Sequence, residues 1–360
     1  MKFNKNSNKK IGILTFHFTR HNYGAVLQTY ASFNVLKKLG YQPQIINLLP
    51  KSSIKQEIYS IMKRASVFEK FRKRYFSLTD KYYHDSDLSK LNRMFDVFYV
   101  GSDQIWRPSM AGDLLAHYYL DFADDEKLKI AYAVSFGTSH WEGTNEETEM
   151  IRPLIKRFKY ISVREAEGVE ICNKIFNVNA VHVLDPTLLL TENDYPIILG
   201  NNKANIMNEG KYMGAYLLAD PTLRTDHALN ASEQTKLKVN NLYGDKIKIF
   251  GRELLRFRKV EEWLNGIKNA SFVITDSYHC IIFCIIMKTN FVCLPNETGG
   301  VTRIKNMLNI IGLEERFCAD KEVDFGNYYS KKIDFDSIYE RLRPFQNKSL
   351  AYLSDALQTI

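Results

Sequence analysis

Long apolar runs are missing from this sequence, and their absence excludes a class of proteins. No stretch of 18 consecutive apolar residues occurs, so we expect no transmembrane helix. The apolar run after the basic N-terminal residues, IGILTF, is too short for the hydrophobic region of a signal peptide and soon meets His17 and Arg20. We therefore expect neither a membrane span nor a secretory leader.

Cysteine is scarce, and its pattern favours a reducing compartment. The chain has five cysteines, an odd number, and they lack the spacing of a disulfide framework. Cys280 and Cys284 are four residues apart beside His279, which would suit either a metal site or buried thiols. Because the surrounding segment is apolar all round, buried thiols are favoured and no metal is expected. The predicted location is the cytoplasm, with peripheral contact at the inner face of the membrane left open.

Motifs for nucleic-acid and dinucleotide binding are also lacking. The sequence has no zinc-finger spacing, no RNP-like aromatic motif and no long basic stripe, and its glycine-bearing loop NYG lacks the full GxGxxG fingerprint. The formal net charge is nevertheless +8, which favours anionic partners such as a phosphorylated small molecule or an acidic membrane surface. We expect no nucleic-acid partner and no bound cofactor.

The sequence does contain an α/β rhythm in two halves. Its 360 residues, 45% of them apolar, suit two domains with sizeable cores. Apolar runs typical of buried parallel strands alternate with segments of helical periodicity, beginning with KIGILTF and the helix that ends at Gly40. Later in the chain AVHVLDPTLLL and DKIKIFG are predicted strands, and residues 226–241 are a predicted helix. The predicted fold class is α/β, with two Rossmann-like domains facing a cleft at the carboxyl ends of their strands.

The polar, turn-rich segment 192–211 marks the predicted division between the halves. We expect an N-terminal α/β domain over 1–195, a C-terminal α/β domain over 205–330, and a helical tail over 331–360 that can pack back on the first domain. Residues 51–82 interrupt the first domain with nine Lys and Arg against three acidic residues. They are interpreted as a basic amphipathic insertion, either a solvated helical excursion or a contact with an anionic membrane.

Polar side chains gather where predicted strands end, which is where open α/β sheets bind ligands. In the first half these are Asn22, Tyr23 and Gly24 of NYG, then Ser102, Asp103, Gln104 and Trp106 of GSDQIW, and Arg164. In the second half they are Asp276, Ser277 and His279, between a strand and an apolar helix, and Arg303 after a Gly-Gly turn. The structural alternatives are a plain turn for NYG, helix caps for Asp276 and Ser277, an ion pair with Glu165 or Glu167 for Arg164, and a solvated position for Arg303.

Five blocks of the sequence together resemble the polysaccharide pyruvyl transferases. They are NYGAVLQTYASFNVLKKLGY, VGSDQIW, ISVRE, DPTLLL and EEWLNGIKNASFVITDSYH, and they occur in family order over about residues 10–315. The resemblance implies a fold similar to that of the GT-B glycosyltransferases. The sequence departs from the family at Cys280, where relatives usually have Gly, so the pocket beside His279 can be narrower than theirs.

The resemblance implies transfer of pyruvate from phosphoenolpyruvate, a co-substrate, onto two hydroxyls of a sugar as a cyclic ketal. The acceptor is expected in a cell-surface polysaccharide, such as an exopolysaccharide or capsule, or in its lipid-linked precursor. Arg164 and Arg303 are the expected ligands of the anionic donor, because a guanidinium makes bidentate bonds to carboxylate and phosphate. His279 is the expected proton-transfer group, and Asp276 is expected to orient it or to hold a sugar hydroxyl.

The acceptor side is expected at the GSDQIW loop. Asp103 and Gln104 suit recognition of sugar hydroxyls, and Trp106 is expected to pack on a sugar face. The catalytic candidates are thus His279, Arg164 and Asp276, and the other strand-end residues are substrate-binding candidates. Two further interpretations stay open: a GT-B glycosyltransferase that uses a nucleotide sugar, and a non-catalytic glycan-binding protein.

Overall fold

The computed structural model describes residues 9–19, 21–50, 67–196, 212–218, 221–249, 252–295, 301–320 and 322–359. The chain divides into two compact units. Unit 1 comprises Met1–Leu190 and Pro344–Ile360, and unit 2 comprises Thr191–Arg343. Most of the predicted linker, residues 197–211, lies outside the described residues. Within them, no helix combines the length and the apolar character needed to cross a membrane.

Unit 1 is built, over its described residues, on a seven-stranded parallel sheet. Its strands are β1 (Lys10–Leu14), β2 (Gln42–Leu49), β3 (Leu78–Tyr83), β4 (Val97–Val100), β5 (Leu128–Val134), β6 (Tyr160–Val163) and β7 (Val181–His182). They lie in the order β3-β2-β1-β4-β5-β6-β7. The direction of winding reverses between β1 and β4, so the carboxyl ends of these two neighbouring strands are the expected ligand-binding edge.

Two of the longer helices of unit 1, α1 and α5, begin where short polar side chains cap them. They are α1 (Tyr23–Lys38), α2 (Val67–Tyr75), α3 (Pro108–Ala111), α4 (Leu115–Tyr118), α5 (Asn145–Ile155) and α6 (Ala166–Phe176). The Asn22 side chain accepts a hydrogen bond from Ala25 N at the start of α1, and Thr144 with Glu147 forms a capping box at the start of α5. Asn177, in the left-handed conformation, ends α6.

Part of the predicted basic insertion belongs to the sheet. Residues 51–66 lie outside the described residues, but the rest of the segment is well defined. Phe68 and Phe71 of α2 pack against Tyr23 and Tyr30 of α1, with ring centroids 4.9 and 5.8 Å apart. The chain then forms β3, which pairs in parallel with β2. The prediction of an insertion is therefore wrong for residues 67–82. The many Lys and Arg residues of this segment made it look solvent-exposed, although Phe68 and Phe71 are buried in the core.

One predicted strand of unit 1 is much shorter than expected. The segment AVHVLDPTLLL forms only β7 and then a 3₁₀ turn, Pro186–Leu189. Proline has no N–H for a ladder, and the Asp185 side chain accepts from Thr187 N, so the chain turns at this point.

Unit 2 is smaller, with a described parallel sheet of four strands in the order β13-β12-β8-β9. Its strands are β8 (Tyr212–Tyr216), β9 (Lys238–Asn241), β10 (Gly244–Ile249), β11 (Arg252–Phe257), β12 (Phe272–Thr275) and β13 (Phe291–Cys293). Its helices are α7 (Pro221–Thr235), α8 (Val260–Lys268), α9 (Tyr278–Ile286), α10 (Val301–Ile311) and α11 (Phe325–Ser330). β12 lies between β8 and β13, and α9 follows it directly.

Two predicted elements of unit 2 are present but differ from the prediction in their extent or pairing. The helix expected over 226–241 ends at Thr235, because Lys236 adopts a left-handed conformation with φ of 59° and β9 follows. The strand DKIKIFG is present as β10, but it pairs with β11 in an antiparallel hairpin instead of joining the parallel sheet.

The helical tail is a single helix, α12 (Phe335–Gln358), which starts in unit 2 and ends in unit 1. Its second half is hydrogen-bonded to unit 1. Leu184 N donates to Ser349 Oγ at 2.9 Å, and Gln346 Nε2 donates to Leu188 O at 2.6 Å. Tyr41 OH donates to Leu357 O at 3.2 Å. Unit 1 is therefore completed by residues from the far end of the chain.

Candidate functional site

The loop after β4 is fastened to the neighbouring strand and carries Asp103 at the carboxyl edge of the unit 1 sheet. Ser102 Oγ donates to Ala133 O at 2.8 Å, and Ser135 N donates to Asp103 O at 2.9 Å. Asp103 itself has a φ of 78°, a region that non-glycine residues rarely adopt. Such conformations persist only where surrounding contacts enforce them, and they are frequent at functional sites.

Arg164 lies at the centre of a cluster of buried carboxylates, which we call the Arg164 cluster. Its Nη1 is 2.9 Å from Asp185 Oδ2, its Nη2 is 3.2 Å from Asp103 Oδ1, and its Nε is 3.8 Å from Glu165 Oε2. The Arg164 side chain has no exposed area. The guanidinium is thus surrounded by carboxylates, and this arrangement favours a positioning role over direct contact with an anionic substrate.

Two carboxylates of the Arg164 cluster are held by many donors. Asp185 accepts from Thr187 N, from Thr187 Oγ1 at 2.7 Å and from Ser102 Oγ at 3.1 Å, in addition to Arg164. Glu165 Oε1 accepts from Ser135 Oγ at 2.7 Å and from the N–H groups of Phe136 and Gly137. Sequence reasoning did not select Asp185, for which the Asp of DPTLLL was the available signal, and it named Glu165 only as an alternative ion-pair partner of Arg164.

The first loop of unit 1 is joined to the same edge through the most family-specific block. Gln28 Nε2 donates to Thr15 Oγ1 at 2.9 Å, and Thr15 Oγ1 donates to Ser102 O at 2.8 Å. Gln28 is fully buried. The role of the NYGAVLQ block seen here is therefore to tie α1 to the ends of β1 and β4.

The three NYG residues have different surroundings. Asn22 is exposed and caps α1. Tyr23 has no exposed area and packs on Phe68, so the prediction that it contacts a substrate is wrong for this conformation. Gly24 is buried in the first turn of α1. The segment is thus the start of α1, with Asn22 as its cap, and not the plain turn that was the structural alternative.

Trp106 is a core residue, and the prediction that it packs on a sugar is also wrong. Its side chain has no exposed area, its Nε1 donates to Tyr118 O at 3.1 Å, and its ring stacks on Tyr119 with centroids 4.7 Å apart. Gln104, two residues earlier, is half-buried, and its Oε1 accepts from Arg107 Nη1 at 3.2 Å. The Nε2 donors of Gln104 can therefore bind a ligand, whereas Trp106 supports the loop by packing in the core.

His17 was not selected from the sequence, although it directly follows the first strand. It is 1% exposed, and within the described chain neither ring nitrogen has a hydrogen-bond partner. Burial, together with the charge of Arg72, lowers the pKa of His17 to about 3, so the imidazole is neutral. Arg72 Nη1 holds the same loop by donating to His17 O at 2.9 Å.

In unit 2, Asp276 joins the ends of two neighbouring strands. Leu218 N lies 2.7 Å from Asp276 Oδ1 and 2.8 Å from Oδ2, and Thr275 Oγ1 donates to Tyr216 O at 2.7 Å. Asp276 is only 4% exposed. Its carboxylate therefore fixes the end of β12 to the segment after β8, which holds the start of α9 in place.

The N-terminus of α9 has no side-chain cap. Ser277 occupies the cap position, but its side chain makes no capping hydrogen bond, so the structural alternative of a side-chain cap is not observed for Ser277. The first N–H groups of a helix have no partner within it and carry a partial positive charge. His279 lies in this first turn and is 9% exposed. An uncapped helix end beside an imidazole can bind an anion and exchange protons with it.

Arg303 is directed to the same helix end. Its guanidinium lies over the ring of Tyr278, 5.7 Å from the centroid, and the rings of Tyr278 and His279 meet edge to face at 5.3 Å. Arg303 is half-buried. The structure therefore places the Arg303 guanidinium against Tyr278, in the same first turn of α9 as His279 and directly after Ser277. That Asp276 orients His279 stays a prediction.

Cys280 and Cys284 are wholly buried thiols. Burial, with the neighbouring Cys280, raises the pKa of Cys284 well above its usual value. Among the described residues no group of three or more His, Cys, Asp or Glu is arranged to hold a metal ion. The surroundings of these cysteines are those of core thiols in α9.

The family model described as "Polysaccharide pyruvyl transferase" matches residues 22–298 of this chain. The match runs from the cap of α1 to beyond β13, so it includes the Arg164 cluster and the start of α9. No curated protein sequence matches the chain.

Two solved structures that contain UDP are similar to this chain. UGT89C1 of Arabidopsis thaliana, complexed with UDP, is 10% identical with a TM-score of 0.52, over 96% of this chain and 98% of that chain. MnaA of S. aureus, in a co-structure with UDP, is 12% identical with a TM-score of 0.49, over 97% and 91% of the two chains. The first similarity, with the two parallel sheets, shows a fold of two Rossmann-like domains like that of the GT-B glycosyltransferases.

Proposed function

This chain belongs to the polysaccharide pyruvyl transferase family, and on that premise we propose that it transfers pyruvate from phosphoenolpyruvate onto two hydroxyls of a sugar as a cyclic ketal. In this reaction C3 of the donor gains a proton, both sugar oxygens bond to C2, and the C2–O bond to phosphate breaks. The two hydroxyl protons are balanced by the proton added to C3 and by the proton taken up by the departing phosphate.

The observation that carries the proposal is the uncapped start of α9. It follows the central strand β12, has Ser277 at the cap position, and has His279 in its first turn. A helix N-terminus binds phosphate through its N–H groups and its dipole, and the Arg303 guanidinium next to Tyr278 adds a fixed cation. These groups match the charge of phosphoenolpyruvate, which has both a phosphate and a carboxylate.

His279 is the group that we assign to proton transfer. An imidazole titrates near neutral pH and can both donate and accept protons, as addition across an enol requires. Asp276, through its two contacts with Leu218 N, keeps the segment before His279 rigid. Rigid support of this kind is what catalytic side chains need.

The acceptor is proposed to be a cell-surface polysaccharide or its lipid-linked precursor, bound on the unit 1 side. Asp103 and Gln104 are the unit 1 candidates with capacity for hydroxyl groups. A lipid-linked acceptor would place the protein at the inner face of the membrane. The basic residues 51–66 proposed for that contact lie outside the described residues, and only the charge of that segment supports it.

The decisive experiment compares two donors. Thermal unfolding of the full chain is followed with phosphoenolpyruvate or UDP, because a ligand that binds the native state raises the midpoint. Radiolabelled phosphoenolpyruvate is then incubated with the protein and a panel of p-nitrophenyl hexosides. We expect a midpoint shift with phosphoenolpyruvate and acid-labile label on an acceptor. A shift with UDP alone, with sugar transferred from a UDP-sugar, would replace the proposal with a glycosyltransferase activity.

A further inference from the structure

The Arg164 cluster has an excess of negative charge in a buried place. It contains three carboxylates, of Asp103, Glu165 and Asp185, around a single guanidinium. The desolvation of buried charges is expensive unless hydrogen bonds compensate it. Such a cluster also repels anions, so a ligand that meets it at the sheet edge must be neutral or cationic.

Asp103 is the member of the cluster that remains open to a ligand. Its side chain keeps 7% of its exposure, against 0% for Asp185 and 2% for Glu165. Its Oδ1 accepts from Gln104 N at 2.9 Å and from Arg164 Nη2 at 3.2 Å. In the described part of the chain no group donates a hydrogen bond to Oδ2. Oδ1 is therefore held by two donors, and Oδ2 keeps its capacity to accept a hydrogen bond from a ligand.

Tyr118 adds a second feature to the surroundings of Asp103. Its hydroxyl is completely buried and has no hydrogen-bond partner among the described residues. Burial, and secondarily the charge of Asp103, raises the pKa of Tyr118, so this hydroxyl stays neutral. Tyr118 therefore adds a neutral hydroxyl to the surroundings of Asp103, beside the carboxylates and the guanidinium of the Arg164 cluster.

We propose that Asp103 is a catalytic residue for the acceptor: Oδ2 binds a sugar hydroxyl and takes its proton as the sugar oxygen bonds to C2 of the donor. Arg164 is then a positioning residue that orients the carboxylate without touching substrate. The inference rests on the proposed function and assigns the acceptor side of the same reaction. The proton that Asp103 accepts is later returned to the departing phosphate or to water, so the carboxylate is regenerated.

A sugar hydroxyl is the ligand that this chemistry favours. It donates a hydrogen bond to the open Oδ2, and it is uncharged, so the surplus negative charge of the Arg164 cluster does not repel it. Gln104 Nε2, which follows directly in the loop, can donate to the same or the adjacent hydroxyl oxygen. Phosphoenolpyruvate, with its multiple negative charges, is excluded from this position by the same electrostatics.

The test uses phosphate release from phosphoenolpyruvate with the p-nitrophenyl hexosides as acceptors. Asp103→Asn keeps the shape and the bond to Gln104 N but cannot take a proton, so we expect kcat to fall by roughly 10²–10⁴-fold. The midpoint shift with phosphoenolpyruvate should stay, and the acidic limb of the pH–rate profile, which reports deprotonation of the general base, should be lost. Arg164→Lys should raise the KM for the acceptor and lower kcat less, with the donor shift intact.

A second variant distinguishes loss of the carboxylate from misfolding of the protein. Asp103→Gly suits the φ of 78°, and formate added to it should restore phosphate release, which a purely structural role would not allow.

The matched control is Glu165→Gln, in the same cluster but without an open oxygen, which should lower stability and keep the pH–rate profile. Turnover of Asp103→Asn within about threefold of wild type, or Asp103→Gly without formate rescue, would overturn the proposal. If wild type releases no phosphate, the proposed function fails first and the inference falls with it.

Discussion

Arg164 and Asp185 form an ion pair in which Nη1 and Oδ2 lie 2.9 Å apart and neither side chain has any exposed area. Removal of one partner from such a pair leaves an uncompensated buried charge, which is strongly destabilising. For Asp185→Ala we therefore expect the free energy of unfolding to fall by roughly 3–5 kcal/mol in a urea titration. Glu170→Ala, which removes a fully exposed pair with Lys174, is the control and should leave the midpoint unchanged. Equal effects of the two changes would contradict the structure of the cluster.

Trp106→Ala tests whether this residue is a core residue or a sugar platform. Because its ring is fully buried and stacked on Tyr119, we expect a loss of roughly 3–5 kcal/mol of unfolding free energy. Trp106→Phe should keep the KM for the acceptor. The control for stability is Met110→Ala, because the Met110 residue is 52% exposed. A raised acceptor KM in a Trp106→Phe protein of normal stability would restore the sugar-stacking interpretation.

His117 should make stability depend on pH in unit 1. Burial acts to lower the pKa of His117, but its hydrogen bonds to Asp121 and to His84 O outweigh burial and raise it above 6.5. The resulting stability is fully present below that unfolded-state value and is lost as pH rises through the higher folded-state pKa. We expect unfolding free energies of wild type and Asp121→Asn to differ at about pH 6 and to converge by about pH 9. A difference that does not change with pH would exclude this linkage.

Ser277→Asp should separate donor binding from folding. A carboxylate at the cap position can accept hydrogen bonds from the first N–H groups of α9 and suits the helix dipole, so the unfolding free energy should stay within about 1 kcal/mol of wild type. The same carboxylate competes with phosphate, so the midpoint shift with phosphoenolpyruvate should disappear. Ser277→Asn, of equal size and without charge, should keep part of the shift. A full shift in the Asp variant would move the donor site away from this helix end.

His279→Ala should abolish turnover while donor binding remains. General acid–base catalysis contributes roughly 10²–10⁴-fold, so kcat should fall by that factor. The midpoint shift with phosphoenolpyruvate should persist, because the N–H groups of α9 and Arg303 are unchanged. His140→Ala, at an exposed position of unit 1, is the control. Full turnover of His279→Ala would remove the imidazole from the reaction, and loss of the shift would make it a donor ligand instead.

Local signals predicted the scaffold of the site well. The apolar run FVIT and the apolar helix after it are β12 and α9, and the helix that ends near Gly40 is α1. These elements are encoded by continuous hydrophobic runs and by periodicity within a few residues. The helix predicted over 226–241 ends early, at Thr235, because Lys236 adopts a left-handed conformation. A lysine side chain gives no indication of this conformation, which non-glycine residues rarely adopt.

The surroundings of side chains were much harder to predict. Arg164 pairs with residues 61 and 21 positions away, so its ion pairs exist only after three strands lie side by side. Tyr23 and Trp106 are amphipathic rings, and sequence alone does not say whether their apolar faces meet the core or a sugar. Polar residues at strand ends were interpreted as exposed, although at this edge several of them bind one another.

Helix α12 has a consequence for the order in which the protein can form during synthesis. The N–H of Leu184 finds its partner, Ser349, only after the whole of unit 2 has left the ribosome. Unit 2 is contiguous in sequence and can fold earlier, whereas unit 1 cannot be completed until α12 has been synthesised. The nascent chain therefore carries an unfinished first sheet until α12 has emerged, and until then its β7 edge is open to the wrong partners.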